Sequence, residues 1–143
     1  MEINISNQHF GTRFLDSPHL KDIVVDSVNK GKFEKINQAR KNIGKHDLKV
    51  RLKVDLCYTD DKPTIIFSRY EPKKNVLIAQ NMDDYELTAI TEYTSTKNNE
   101  NILKFARRMI VKMGNNTPNN KMYKKVVREK VFGFKPPKYD IYI

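Results

Sequence analysis

A single cysteine, Cys57, stands among 143 residues. It excludes an intramolecular disulfide and makes the cytosol the expected compartment. Histidine is almost as scarce. His9, His19 and His46 never fall at metal-ligand spacing, and Cys57 has no partner cysteine, so no structural zinc is expected. Glycine numbers five, and Gly31, Gly44 and Gly114 all fall where helices should stop. No glycine-rich loop remains to cradle a phosphate, and neither "GxSxG" nor "HExxH" occurs. A nucleotide cofactor site is therefore not expected, nor is any other cofactor.

Long apolar runs are also missing. The longest are "TII" extended by Phe67, or "MIV", far below the roughly 18 residues that span a bilayer. The opening "MEINISNQHF" has neither a basic nor an apolar signal region, so no secretory leader and no membrane partner are expected. Charged residues make up 31% and apolar ones 38%, yet the apolar residues recur in periodic blocks, which argues against wholesale disorder. One domain is expected over residues 1–143, burying roughly 68% of its unfolded surface.

What the chain has in excess is positive charge, +10 in all. Residues 1–103 carry 16 Lys/Arg against 15 Asp/Glu; residues 104–143 carry 11 against only Glu129 and Asp140. Charge polarised in this way suits nucleic acid, an anionic membrane surface or an acidic protein. The plain alternative is a solvated basic helix that keeps the protein soluble. Asparagine is common as well, with 14 residues, among them Asn98, Asn99, Asn101, Asn115, Asn116, Asn119 and Asn120. AT-rich coding and helix capping account for them, and no functional weight is placed on them.

The periodicity predicts an α+β fold. Ser17 caps and Pro18 opens a first helix with Leu20, Ile23, Val24, Ser27 and Val28 on one face, and Gly31 ends it. Phe33, Ile36, Ala39, Arg40 and Ile43 mark a second helix, giving a helical hairpin over 18–43. An antiparallel sheet of about four strands is expected at 47–58, 64–70, 76–79 and 85–94, with Tyr85, Leu87, Ala89, Thr91 and Tyr93 on one face of the last. Met1 to Ile5 are a further candidate strand, and "NQHFGTRFLDS" reads as loop. Two helices follow, 99–113 and 120–131. Ile102, Phe105, Ala106, Met109, Ile110 and Met113 repeat at helical spacing in the first of them. An arm, 132–143, cannot be helical through Pro136–Pro137.

Three chemistries compete. Asp60 or Asp61 followed by "EPK" (Glu71, Lys73) mimics the carboxylate order of Mg²⁺-dependent nucleases, but Pro72 disrupts the strand such a site needs. A metal-free ribonuclease is conceivable if His46, Arg51, Arg69 and Tyr70 converge. Non-catalytic nucleic-acid binding draws on more segments. Lys104, Arg107, Arg108 and Lys112 lie off the apolar stripe of their helix and should face solvent. Lys121, Lys124, Lys125 and Arg128 extend the charge, and Lys135 and Lys138 carry it into an arm interleaved with Phe132, Phe134, Tyr139 and Tyr142. Those aromatics could stack on bases, but their alternation with Ile141 and Ile143 fits an edge strand docked on the sheet somewhat better. These ten basic residues are the expected phosphate-binding set.

The ladder Lys49, Arg51, Lys53 is weaker support, because Glu86 and Glu92 are expected to balance it across strands. The sequence thus points to a small cytosolic nucleic-acid-binding accessory or regulatory protein, of the kind phages and mobile elements carry. The alternatives are an interaction or inhibitor protein that binds an acidic protein surface or a nucleic-acid-binding enzyme, and the ribonuclease.

Overall fold

The computed structural model describes residues 13–47, 49–129 and 134–135. Its architecture is α+β: helices precede and follow the long strands of one four-stranded sheet. The expected strand at Met1–Ile5 and most of the 132–143 arm lie outside the described residues.

Helix α1 (Pro18–Asn29) starts where Ser17 Oγ accepts from the Leu20 amide at 3.1 Å. It stops at Gly31, whose φ of +68° is the left-handed conformation that a Cβ disfavours. Helix α2 (Phe33–Gly44) buries Ile36, Ala39, Arg40 and Ile43, completing the hairpin. Burial lowers the Arg40 pKa from its usual value, with Asp16 partly offsetting the cost.

Strand β2 (Arg51–Thr59) and strand β3 (Lys62–Pro72) form a long antiparallel hairpin. Asp60 and Asp61, at φ +50° and +63°, make the two-residue turn that matches the natural strand twist. Strand β4 (Tyr85–Thr94) pairs antiparallel on the far side of β3. Leu52, Val54, Ile65 and Phe67 point inward and join Leu20, Ile23, Ile36, Phe105, Ile110 and Tyr123 in one buried core.

Five expectations need correction. The sheet is mixed rather than purely antiparallel, because Arg13–Phe14, expected as loop, forms β1 and pairs parallel with Arg51–Leu52. Beyond this two-residue strand the β2 edge is satisfied by other means: Leu15 N donates to Leu52 O, Ser17 Oγ to Val54 O, and Leu56 N to His19 Nδ1. The 47–58 strand begins only at Arg51, because Asp47 sits at φ +49° and its carbonyl accepts from Val50 N in a turn.

Residues 76–79 are not a strand. They lie in the β3–β4 connection, whose base is closed by Lys73 N to Asp84 O at 2.8 Å. Leu77 is fully exposed and Ile78 is 75% exposed. The loop is nonetheless ordered by Asp84, which accepts from the Gln80 and Asn81 amides; those bonds hold its carboxyl below the usual range.

The last strand does not keep one face. Arg69 opposes Ala89 while Tyr70 opposes Leu87, so Thr88 is the extra residue of a bulge. Ala89, Thr91 and Tyr93 therefore share the inward face, and Tyr85 and Leu87 the other.

The final helix, expected over 120–131, is one turn of α4 (Lys121–Tyr123) continuing into a π turn, Lys124–Arg128. Among the described residues no helix is long and apolar enough to cross a membrane.

Candidate nucleic-acid interface

Helix α3 (Ile102–Met113) carries the first half of the basic surface. Asn101 caps it by accepting from Lys104 N at 2.9 Å. Phe105, Ala106, Met109, Ile110 and Met113 are buried. Lys104, Arg108 and Lys112, spaced four apart, leave exposed positions along the opposite side, about 6 Å of helix rise between neighbours.

Gly114 ends α3 as expected, but not through a left-handed conformation. Its φ is −82°, and a Cβ there would meet Ala39 Cα and Cβ at 2.6 Å. The glycine is required because α2 and α3 approach closely at this point.

Asn120 then joins the two basic segments. Its Oδ1 accepts from the Met122 and Tyr123 amides, at 2.8 and 3.1 Å, and so starts α4. Its Nδ2 donates back to the carbonyls of Lys112 and Asn115, at 2.6 and 2.7 Å. The end of α3 is thereby tied to the start of α4.

Met122, Tyr123, Val126 and Val127 are buried, so Lys121, Lys124, Lys125 and Arg128 emerge on the exposed side. The π geometry is closed by Glu129 N to Lys124 O at 2.7 Å. Arg69 reaches from β3 to the same end and donates to the carbonyls of Val127 and Glu129.

Two adjoining clefts result, and Lys121 and Lys125 form the ridge between them. One, of about 560 Å³, is lined by Lys121, Lys124, Lys125, Arg128 and Glu129. The other, also about 560 Å³, is lined by Lys112, Lys121, Lys125, Tyr93, Met122 and the loop asparagines 115, 116 and 120. Lys125 Nζ lies 5.9 Å from the centre of the Tyr93 ring, and Phe67 meets that ring edge-on. Burial, with Glu129 nearby, raises the Tyr93 pKa above its usual value.

The ten expected residues separate by their partners. Arg107 does not face solvent as expected: it is half-buried and pairs with Asp26 of α1 at 3.0 Å. Arg108 is exposed, but it is clamped by Glu100 and stacks over Phe105. Arg128 Nε lies 3.3 Å from Asp47, which also accepts from the Tyr123 hydroxyl. Lys104, Lys112, Lys121, Lys124 and Lys125 are exposed and form no ion pair among the described residues. Lys135 is exposed; Lys138 lies outside the described residues.

Other arrangements fail to assemble. Asp60 and Asp61 sit at one end of β3 and Glu71 near the other, about 30 Å apart at ~3.3 Å per strand residue, so "EPK" has no carboxylate beside it from that turn. Arg51 and Tyr70 are cross-strand neighbours, but Arg69 points to the opposite face and is buried, which disperses the ribonuclease set.

The strand ladder is not balanced as expected either. Strand β3 separates β2 from Glu92, Glu86 lies opposite Glu71, and Arg51 instead sits 5.3 Å over the Tyr85 ring. Arg51 and Lys53 are half-buried.

Sequence reasoning missed Tyr93, Asn115 and Asn116 as parts of the basic site. Only the density of asparagine around 115–120 hinted at them. No family model, no curated protein and no solved structure matches the chain.

Proposed function

We propose that this is a small cytosolic protein that binds nucleic acid without catalysis of its own, as an accessory or regulatory factor. Its contact surface is the ridge of Lys121 and Lys125 with the flanking Lys112 and Lys124, extended along α3 by Lys104. The observation that carries the reading is the sharing of Lys121 and Lys125 by two clefts whose lining, among the described residues, contains one acidic residue, Glu129. Lysines without carboxylate partners keep their charge available, and each phosphate they neutralise releases condensed counterion. Arg107, Arg108 and Arg128 serve mainly to hold the scaffold, because each is already paired.

The direct test is a fluorescence-anisotropy titration of labelled DNA and RNA at low and moderate salt. Binding that weakens steeply with salt is expected; absence of binding at low salt rejects the reading.

A second reading is favoured by the exposed Leu77 and Ile78 at the tip of an ordered loop: an interaction protein docking on another protein. It predicts that Leu77→Ser abolishes partner binding while leaving nucleic-acid binding, if any, unchanged.

A further inference from the structure

We propose that the cleft lined by Lys112, Lys121, Lys125, Tyr93, Asn115 and Asn116 holds one unpaired nucleotide of a single strand. This rests on the nucleic-acid reading above and narrows its ligand from nucleic acid in general to strands with unstacked bases.

The cleft is open to solvent and of about 560 Å³, within the range of roughly 300–1,000 Å³ typical of sites for small organic groups. A duplex offers phosphates on a convex surface and keeps its bases paired. It can reach the exposed Lys104 and Lys124, but it fills this cleft only by flipping a base out, which costs unpairing and unstacking. A single strand bears no such cost.

The lining supplies both halves of a nucleotide site. Lys112 comes from the end of α3, Lys121 from α4 and Lys125 from the π turn, so cations from three consecutive segments line one cleft. Beside them lie two carboxamides with nothing else to do. The Asn120 side chain makes four hydrogen bonds to backbone and is saturated. The side chains of Asn115 and Asn116 make none among the described residues and are exposed at the cleft. A carboxamide presents a donor and an acceptor side by side, the pattern that matches the edge of an unpaired base. A site for phosphate alone has no use for that pair.

Tyr93 is not the stacking platform. Its ring has Phe67 at its edge and Lys125 over a face, so it forms a wall of the cleft and helps to place the lysine.

The test measures anisotropy for four labelled oligomers of about 15 nucleotides at about 50 mM salt. They are a single-stranded DNA, the same sequence as RNA, an abasic version of the DNA strand, and the matching DNA duplex. Wild type and the double variant Asn115→Ala/Asn116→Ala are compared, with circular dichroism to verify that the variant keeps its fold.

We expect the intact single strands to bind about tenfold or more tightly than the duplex, and the abasic strand to fall to the duplex level. In the double variant the advantage of intact over abasic strand should vanish while the salt slope stays unchanged. The DNA and RNA arms show which sugar is preferred; both carry the unpaired base. Equal affinity for all four oligomers, or a double variant that discriminates like wild type, overturns the inference and leaves nucleic-acid binding standing. Failure to bind any of the four overturns both.

Discussion

Arg69 caps the carbonyl of Val127: its Nη1 donates to Val127 O at 3.1 Å and to Glu129 O at 2.8 Å. The arginine is 3% exposed and belongs to β3, an interior strand of the sheet, while the valine lies near the end of the basic π turn. A guanidinium is thus spent inside the fold to hold the segment that displays Lys121, Lys124 and Lys125. Its Nε is satisfied by Thr88, the extra residue of the β4 bulge. Bulge, buried arginine and basic turn form one construction.

Arg69→Leu should therefore destabilise the protein by about 1–3 kcal/mol, the cost of leaving buried carbonyls without donors. Urea denaturation measures it. Arg69→Lys should recover only part of the loss, because an ammonium lacks the planar fork that reaches two carbonyls while facing Thr88. If Arg69→Leu melts like wild type, the cap is not stabilising.

Arg107 gives the opposite outcome to that expected from its place off the apolar stripe. Its side chain is 14% exposed and its Asp26 partner 20%, so the pair is shielded more than a surface bridge. Arg107→Gln should lower stability by about 1–3 kcal/mol, more than the usual value below ~1 for exposed pairs. It should leave the salt dependence of nucleic-acid binding unchanged. A flattened salt slope with unaltered stability would show that Arg107 contacts phosphate instead.

At Gly114 the added methyl of Gly114→Ala would lie 2.6 Å from Ala39 Cα and Cβ, forcing α2 and α3 apart. Overpacking of this kind costs about 1–3 kcal/mol. The double variant Ala39→Gly/Gly114→Ala should recover part of the loss, since one of the colliding atoms is gone. Thermal melts of both single variants and the double variant read this coupling directly.

Glu100 ties the segment after β4 to α3. It binds Arg108 and accepts from the Ser95 hydroxyl, and those hydrogen bonds, Arg108 first, hold its pKa below the usual carboxylate range. A depressed carboxylate stabilises the fold fully above its unfolded value of about 4.3, and the contribution disappears as pH falls through the lower folded value. Wild type should thus lose stability on acidification in this window faster than Glu100→Gln. Parallel pH profiles of the two proteins would contradict the assignment.

Much of the fold was legible because its signals are local. Ser17 and Pro18 mark the start of α1, Gly31 its end, and the alternation of Leu52, Val54 and their neighbours marks β2. What was hidden depends on contacts distant in sequence. Two residues, Arg13 and Phe14, carry no strand period of their own and are held by β2. Val76–Ala79 resemble a strand in composition, yet β3 and β4 pair directly and leave the run no partner. The Thr88 bulge shifts the period by one residue and cannot be read from an alternation that continues smoothly across it.

The candidate site divides in the same way. Charge counting and the α3 stripe singled out Lys112, Lys121, Lys124 and Lys125, which the fold gathers around two clefts. Which basic residues are already neutralised was not readable, because Asp26, Glu100 and Asp47 reach Arg107, Arg108 and Arg128 through tertiary structure. The role of Asn120 as a tie between helices, and the Asn115 and Asn116 side chains beside it that make no hydrogen bond among the described residues, needed coordinates as well.

Phosphate binding by the ridge lysines, which form no ion pair among the described residues, is the proposed activity. Its most direct test is the slope of log K against log salt for a single-stranded oligomer, wild type against Lys112→Gln/Lys121→Gln/Lys124→Gln/Lys125→Gln. Each neutralised phosphate contributes about 0.7 to that slope on a single strand, so the variant should bind more weakly with a slope flatter by up to about 2.8. Its urea midpoint should stay close to that of wild type, because all four side chains are exposed. A variant that keeps both the affinity and the slope of wild type would contradict the account.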